Sequence, residues 1–406
     1  MPEVSVIIPT YNRSDMLAQA MRSVLAQTYR DFELVIVDDG STDNTREVVE
    51  GFGDPRIRYV WQENQERSAA RNRGVAEASA ELVAFLDSDD LWFPEKLEVQ
   101  LPLFRERRDV GLVYSYCVRI DERGDFPYPQ DFLRDDTGVA IQNMHADLLA
   151  GNAVLTPSVI VKKEVFQAGG GFDRSLSTSE DWELWIRLSE LCDFGFTSRP
   201  LAAFRVHPGN SVKDLDRLLK SDFEVLDKHF GPDTQEQRLR TEMRLYLRNG
   251  FTALRNGWPE AEDLLAQAQE RASESGSGDA VEKLLLTHAV GGAEYSSQGR
   301  LEAARILSEA SRIINSHGGH VAVRKCLRDF WAYWAHATYS LRDHRGTLQC
   351  ISKLTGMLAL PVLDRGIWAI TTKSALRMLS SRASKRRVFE IERELPKIVL
   401  PDIVSS

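Results

Sequence analysis

Three of the four residues Asp87, Ser88, Asp89 and Asp90 are carboxylates, and they follow directly on the apolar run 82–86. Like charges crowded against a buried strand repel one another where water is scarce. Hard divalent cations such as Mg2+ or Mn2+ take oxygen ligands and keep phosphate oxygens and water in their shell, so a bound ion would cancel that repulsion. A solvated turn in which Asp90 caps the helix of "LWFPEKLEVQ" accounts for the same residues equally well. A second acidic cluster, "DDGSTD" at 38–43, ends another apolar run. There Gly40 suits a positive φ, and Thr42 or Asp43 suits a helix cap. The pair Asp38 and Asp39 is left over, and a carboxylate there could accept hydrogen bonds from a nucleobase or ribose.

Two further stretches carry candidate chemistry. Arg71 and Arg73 in "SAARNRG" offer planar guanidinium groups to a diphosphate, although Arg73 reads as simply as a surface side chain. Glu180 and Asp181 open "EDWELWIRLSE", where the helix dipole favours carboxylates. Capping by Ser179 with acidic first-turn residues explains both, so local chemistry alone does not make Asp181 a base.

An alternation of strand and helix patterns positions these clusters across the N-terminal half. "VSVIIP", "FELVIVDD", "IRYVWQ" and "ELVAFL" read as strands; "MLAQAMRSVLAQ", "NTREVVEGF" and "SAARNRGVAEAS" read as helices. This βαβ rhythm predicts a mostly parallel sheet with helices on both faces and ligands at the carboxyl ends of the strands. Polar clusters end the first strand (9–13), the second (38–43) and the fourth (87–90). In a parallel sheet all three lie along one rim.

The length of 406 residues allows two domains. A net charge of -9 argues against nucleic-acid binding, which needs a basic face. Cys117, Cys192, Cys326 and Cys350 lack CxxC spacing and read as reduced thiols of a cytoplasmic protein. No apolar stretch approaches the ~18 residues of a membrane span. "MPEVSVIIPTYNR" has no basic n-region and passes straight into a strand, so it does not read as a signal peptide.

From about Asp214 strand patterns give way to alanine-rich helical periods, with a linker expected at 208–216. "ALRNGWPEAEDLLAQAQERA" and "EYSSQGRLEAARILSEASRI" echo each other, with Gly257 opposite Gly299, and "SLRDHRGTLQCISKL" is a weaker third echo. They read as helical hairpins loosely like tetratricopeptide repeats, at a period longer than their ~34 residues. Trp258, Trp331, Trp334 and Trp368 are expected in the hairpin core. Residues 373–387 gather six basic side chains and no acidic one, a solvated helix face or an anionic membrane contact.

In order, "VSVIIPTYNR", "FELVIVDDGSTD", "ENQERSAARNRG", "AFLDSDDLWFPEKLEVQ", "GGFDRSLSTSEDWELWIRL" and "RVHPGNS" resemble glycosyltransferase family 2, the nucleotide-sugar-dependent enzymes with a GT-A fold. The resemblance covers residues 3–212 and leaves the helical half unmatched. It implies a Rossmann-like GT-A catalytic domain at 1–213, followed by an all-α domain at 214–406. Pro9, Thr10 and Tyr11 would line the nucleotide pocket, Asp39 would bond the base, usually uracil, and Arg71 would lie beside the nucleotide. Asp87 would face the ribose or metal, Asp89 would ligate Mn2+ or Mg2+, and Asp181 would be the general base. His207 stands where some such enzymes place a further metal or phosphate contact, and a structural role suits it equally. The family often has a glycine where this chain has Glu66 and Arg67, which leaves the local loop shape open.

The implied activity is inverting transfer from a nucleotide sugar, a UDP-sugar by preference, to a hydroxyl of a saccharide, lipid-linked or protein acceptor. The setting would be cell-surface polysaccharide or glycoconjugate biosynthesis, in the cytoplasm or peripheral at the inner membrane face. The helical half would serve a protein partner or self-association. Two other classes compete: a non-catalytic adaptor with a degenerate GT-A domain, and a nucleotidyltransferase, which would not be expected to carry "SEDWELW". Neither the sugar nor the acceptor is legible.

Overall fold

A computed structural model describes residues 1–124, 139–207, 214–292, 297–340 and 343–357. Among them, nine strands form one sheet. They are β1 (Val4–Thr10), β2 (Phe32–Asp38), β3 (Ile57–Trp61), β4 (Leu82–Phe85), β5 (Leu91–Trp92), β6 (Val110–Ile120), β7 (Val139–Gln142), β8 (Ile160–Lys162) and β9 (Asp193–Arg205). The order is β3-β2-β1-β4-β8-β6-β9-β5, with β7 paired to β9. The first four strands run parallel, as their apolar, β-branched runs predict. Beyond β4 the sheet is mixed: β8 is antiparallel to both β4 and β6, while β6 and β9 run parallel with register shifts.

The helices of this half are α1 (Ser14–Leu25), α2 (Thr45–Glu50), α3 (Glu66–Glu77), α4 (Lys96–Glu106), α5 (His145–Leu149), α6 (Lys163–Ala168), α7 (Glu180–Ser189) and α8 (Leu215–His229). Leu17, Met21 and Val24 of α1 meet Val6, Ile8, Leu34 and Ile36 of the sheet in one core cluster. Each such side chain, fully buried, contributes about 1.5–3 kcal/mol. α3 lies so close to the sheet that a Cβ on Gly74 would come within 2.3 Å of Ile7 Cγ2. Arg71, three residues earlier, shares that buried face.

The chain divides into two compact units, the first running through Thr241 and the second beginning at Glu242. The first therefore takes in α8, whereas the sequence places its boundary at 213/214. Helices α9 (Gln235–Asn256), α10 (Ala261–Glu274), α11 (Gly278–Gly292), α12 (Ser297–Ser316), α13 (Val323–Ser340) and α14 (His344–Met357) follow. Leu247, Phe251, Leu265, Leu285, Leu307, Phe330, Trp331 and Trp334 belong to one helical core. Gly257 lies in the turn after α9 with φ 68, but Gly299 lies inside α12, so the two sequence echoes place their glycines differently. Trp258 is half-buried. Trp368 and the basic stretch 373–387 fall outside the described residues. No described helix is long and apolar enough to cross a membrane.

Candidate functional site

The carboxyl ends of β1, β2 and β4 are adjacent because β1 is the middle strand of the three. Pro9 is buried within β1, paired with Val37, and Tyr11 is exposed just beyond the strand. Thr10 is buried, yet its Oγ1 has no protein partner. Two more buried polar atoms near this rim lack one, Arg71 Nε and Asp90 Oδ2. Buried polar groups in folded proteins are almost always bonded, so three orphans together call for a polar ligand.

The two aspartates after β2 separate in role. Asp38 is spent locally: its oxygens accept from Ser41 N at 2.8 Å and from the Tyr59 hydroxyl at 2.5 Å. Asp39 is held in place by Gln62 Nε2 at 2.6 Å and the backbone N–H of Gln65 at 3.0 Å. Burial raises its pKa despite those donors. Gly40 takes φ 85, as the turn reading expects, but the N-cap of α2 is Asn44, and Asp43, one position before it, accepts the Thr45 N–H at 3.1 Å.

In the turn after β4 the capping alternative fails. α4 begins only at Lys96, behind Pro94, and Asp90 instead accepts the Arg205 N–H at 2.9 Å. Burial, then the neighbouring Asp89 and Asp87, push the Asp90 pKa well up. Arg205, itself fully buried, clamps the turn by donating from Nε to the Asp89 carbonyl at 2.7 Å. Asp89 Oδ2 meets Arg13 Nη1 at 2.5 Å and His207 Nε2 at 2.9 Å.

That last distance bears on a divalent cation. Adjacent ligands of an octahedral ion with ~2.1 Å bonds lie about 3.0 Å apart, so one carboxylate oxygen and one imidazole nitrogen already stand at suitable spacing. No preformed group of three or more His, Cys, Asp or Glu occurs among the described residues. Two protein ligands suffice where phosphate oxygens and water complete the shell. The residues present fit such an ion.

Arg71 joins this rim to the start of α7. It is buried, with Nη2 on Asp87 Oδ1 at 2.5 Å and Nη1 on Glu180 Oε1 at 2.6 Å. Burial raises the Asp87 pKa, but the charge and hydrogen bond of Arg71, with the charges of Arg67 and Arg13, together outweigh it and the net direction is down. Next to Glu180, Asp181 accepts from Thr156 Oγ1 at 2.9 Å, Asn152 Nδ2 at 3.2 Å and its neighbour's N–H, that of Trp182, at 2.7 Å. Burial, then repulsion from Glu180, raise its pKa to about 6. Ser179 does not cap α7: its φ is 58 and its hydroxyl donates to Asp222 at 2.7 Å.

Asn12, Glu66 and Ser179 are the non-glycine residues with positive φ among those described. Each lies within two residues of a site segment: behind Tyr11, at the start of α3, and before Asp181. Strained backbone of this kind collects at functional sites. Glu66, at φ 69, holds the conformation a glycine would take, so the loop keeps its shape without one.

Residues 5–160 match the family model described as glycosyl transferase family 2. Through this segment the chain is similar to glycosyl transferase family 2. An uncharacterized glycosyltransferase of Rickettsia felis is 33% identical over 220 residues, 52% of this chain and 34% of that one. The chain thus spans about a third of the length of this curated relative. The Escherichia coli UDP-Glc:alpha-D-GlcNAc-diphosphoundecaprenol beta-1,3-glucosyltransferase WfgD is 39% identical over 131 residues, 31% of this chain and 51% of that one. The solved S. aureus TarS 1-349 aligns at 20% identity and TM-score 0.48, covering 77% of this chain and 91% of that chain.

Sequence reasoning missed Arg13, Gln62, Asn152, Thr156 and Arg205. Arg13 and Arg205 stand inside quoted motifs and Gln62 ends a quoted strand, but their roles had no local mark; Asn152 and Thr156 come from a segment whose local sequence carries no chemical signature.

Proposed function

We propose that the chain is an inverting glycosyltransferase that takes a nucleotide sugar, a UDP-sugar by preference, and transfers the sugar to a hydroxyl acceptor in glycoconjugate or polysaccharide assembly. The observation that carries this reading is the Arg71 bridge, which ties Asp87 at the strand rim to Glu180 beside Asp181. In this reading the bridge joins donor-side and acceptor-side groups in one site. A relative named for a UDP-glucose donor supports the choice of UDP.

In this reading Asp39 and the orphaned Thr10 hydroxyl receive the nucleoside, with Pro9 and Tyr11 beside it. Asp89 and His207 would hold a divalent cation, with Asp87 nearby. When bound, such a cation supplies positive charge for the departing diphosphate. Asp181 accepts the acceptor hydroxyl's proton as that oxygen attacks the anomeric carbon. A pKa of about 6 suits the task, since the group is ionised at neutral pH and still basic enough to take a proton. Attack opposite to departure inverts the anomeric centre in one displacement.

The test is release of free UDP from a panel of UDP-sugars, with Mn2+ and a set of saccharide and lipid-linked acceptors. Acceptor-dependent UDP release that disappears in Asp181→Asn supports the reading. Release that is unaffected by that change overturns it.

A further inference from the structure

The segment 148–158 makes neither strand nor long helix, yet it is tied down along its length. Trp182 and Trp185 of α7 donate their indole N–H groups to the carbonyls of Leu148, at 2.7 Å, and Val154, at 3.1 Å. Trp92 donates to the Pro157 carbonyl at 2.7 Å. The Ser158 carbonyl receives both Lys96 Nζ at 3.0 Å and Gln100 Nε2 at 2.9 Å. Lys96 is fully buried, and its other polar contact is the Gln100 side-chain oxygen. Burial pushes its pKa well down. With only neutral oxygens and the Trp92 ring, 4.6 Å from Nζ, around it, such a basic side chain is expensive to bury, so its position calls for a reason.

The reason lies two residues back. Thr156–Ser158 form a single turn, and Thr156 Oγ1 reaches Asp181 Oδ2 at 2.9 Å. Asn152 reaches the other oxygen at 3.2 Å while its own Oδ1 accepts the Val154 N–H. We infer that Thr156 and Asn152 are positioning residues that fix the orientation and proton affinity of Asp181, and that Trp92, Lys96 and Gln100 hold the turn that presents Thr156.

A hydrogen bond donated to a carboxylate favours its charged form. The charged groups facing Asp181 among the described residues are Glu180 on its own helix, which raises its pKa, and Arg71 on α3, which lowers it. Thr156 adds to the lowering side. The inference deepens the reading of Asp181 as base, but its test needs no substrate.

Full-length protein labelled with 13C at aspartate carboxyls is titrated by NMR, and the Asp181 resonance is assigned as the one missing from Asp181→Asn. The wild-type group is expected to titrate at about 6. Thr156→Val, which keeps the shape and removes the donor, should move it up by about one pH unit, and Thr156→Ser should restore it. Lys96→Met, similar in volume, should move it the same way by loosening the turn. A Thr156→Val titration that overlays the wild type overturns the inference. A shift in that variant with none in Lys96→Met overturns its second half. Full turnover in Asp181→Asn would remove the base assignment and leave these titrations standing.

Discussion

Arg71 Nη1 lies 2.6 Å from Glu180 Oε1, both groups buried, across 109 residues of sequence. The other arm of the same guanidinium lies on Asp87. Removing one partner from a buried ion pair costs about 3–5 kcal/mol, because the remaining charge is left unanswered. Arg71→Met should therefore lower the melting temperature sharply. Arg71→Lys keeps the charge but cannot span both carboxylates, so it should fold while losing UDP affinity. Thermal unfolding and calorimetry with UDP and Mn2+ distinguish the two, and a Lys variant binding UDP like wild type would exclude the bridge from the donor site.

Asp89→Ala and His207→Ala should each weaken Mn2+-dependent UDP binding by tenfold or more, about 1.4 kcal/mol. Both remove a donor atom of the 2.9 Å pair. The comparison is calorimetry with and without Mn2+. If His207→Ala retained full Mn2+ dependence, the imidazole would be only a structural partner of Asp89.

Asp181→Asn should reduce transfer by about 10²–10⁴-fold, the usual scale for removing a general base, with UDP affinity unchanged. Because the wild-type carboxyl is protonated below about 6, kcat/KM should rise with pH through that value and level off above it. Stability carries the opposite sign. A folded pKa above the ordinary aspartate value means the folded state holds the proton more tightly. That contribution is full below the unfolded pKa and fades as pH rises through about 6. Asparagine has no proton to lose there, so the melting temperature of Asp181→Asn relative to wild type should climb between pH 4 and pH 7. A constant difference across that range would contradict the raised pKa.

The strand-end clusters were legible because each follows an uninterrupted apolar run, and a parallel β2-β1-β4 order brings their ends together. The sheet beyond β4 was not legible: β6 and β9 pair with register shifts, which blur the two-residue period. Two capping readings failed for tertiary reasons. Ser179 spends its hydroxyl on Asp222 from a left-handed backbone, and Asp90 spends an oxygen on Arg205, more than a hundred positions away. Thr156 and Asn152 were invisible because a hydroxyl and an amide in an irregular segment have no periodicity to mark them.

Glu66 offers a test of backbone strain. A left-handed conformation costs an L-residue roughly 1–2 kcal/mol, and glycine gives back about 0.5–1 kcal/mol through its looser unfolded chain. Glu66→Gly should therefore stabilise the protein by about 0.5–1 kcal/mol, where glycine in a relaxed helical first turn would destabilise it. Denaturant unfolding gives the sign. A destabilised variant would mean the Glu66 side chain contributes more than its strain removes.

The first compact unit ends at Thr241, and α8 belongs to it, with contacts to the segment that precedes Asp181. Ser221 Oγ lies 3.1 Å from Ser177 Oγ and accepts the Thr178 N–H at 3.3 Å. Asp222 holds the Ser179 hydroxyl, and Lys228 reaches Asp173 at 2.7 Å. Ser179 has φ 58 two residues before Asp181, so its hold on Asp222 keeps a strained backbone in place beside Asp181. A chain ending at Thr241 should bind UDP and Mn2+ with the affinity of the full chain, because every residue assigned to the site lies within it. A chain ending at residue 213 lacks α8; at about 1 kcal/mol per lost hydrogen bond it should melt at lower temperature. Its transfer activity should fall further than its UDP affinity, since the lost contacts flank Asp181 and not the strand rim. Calorimetry, thermal unfolding and turnover on the two truncated chains make the comparison. Equal turnover by both would show that α8 has no part in holding the base.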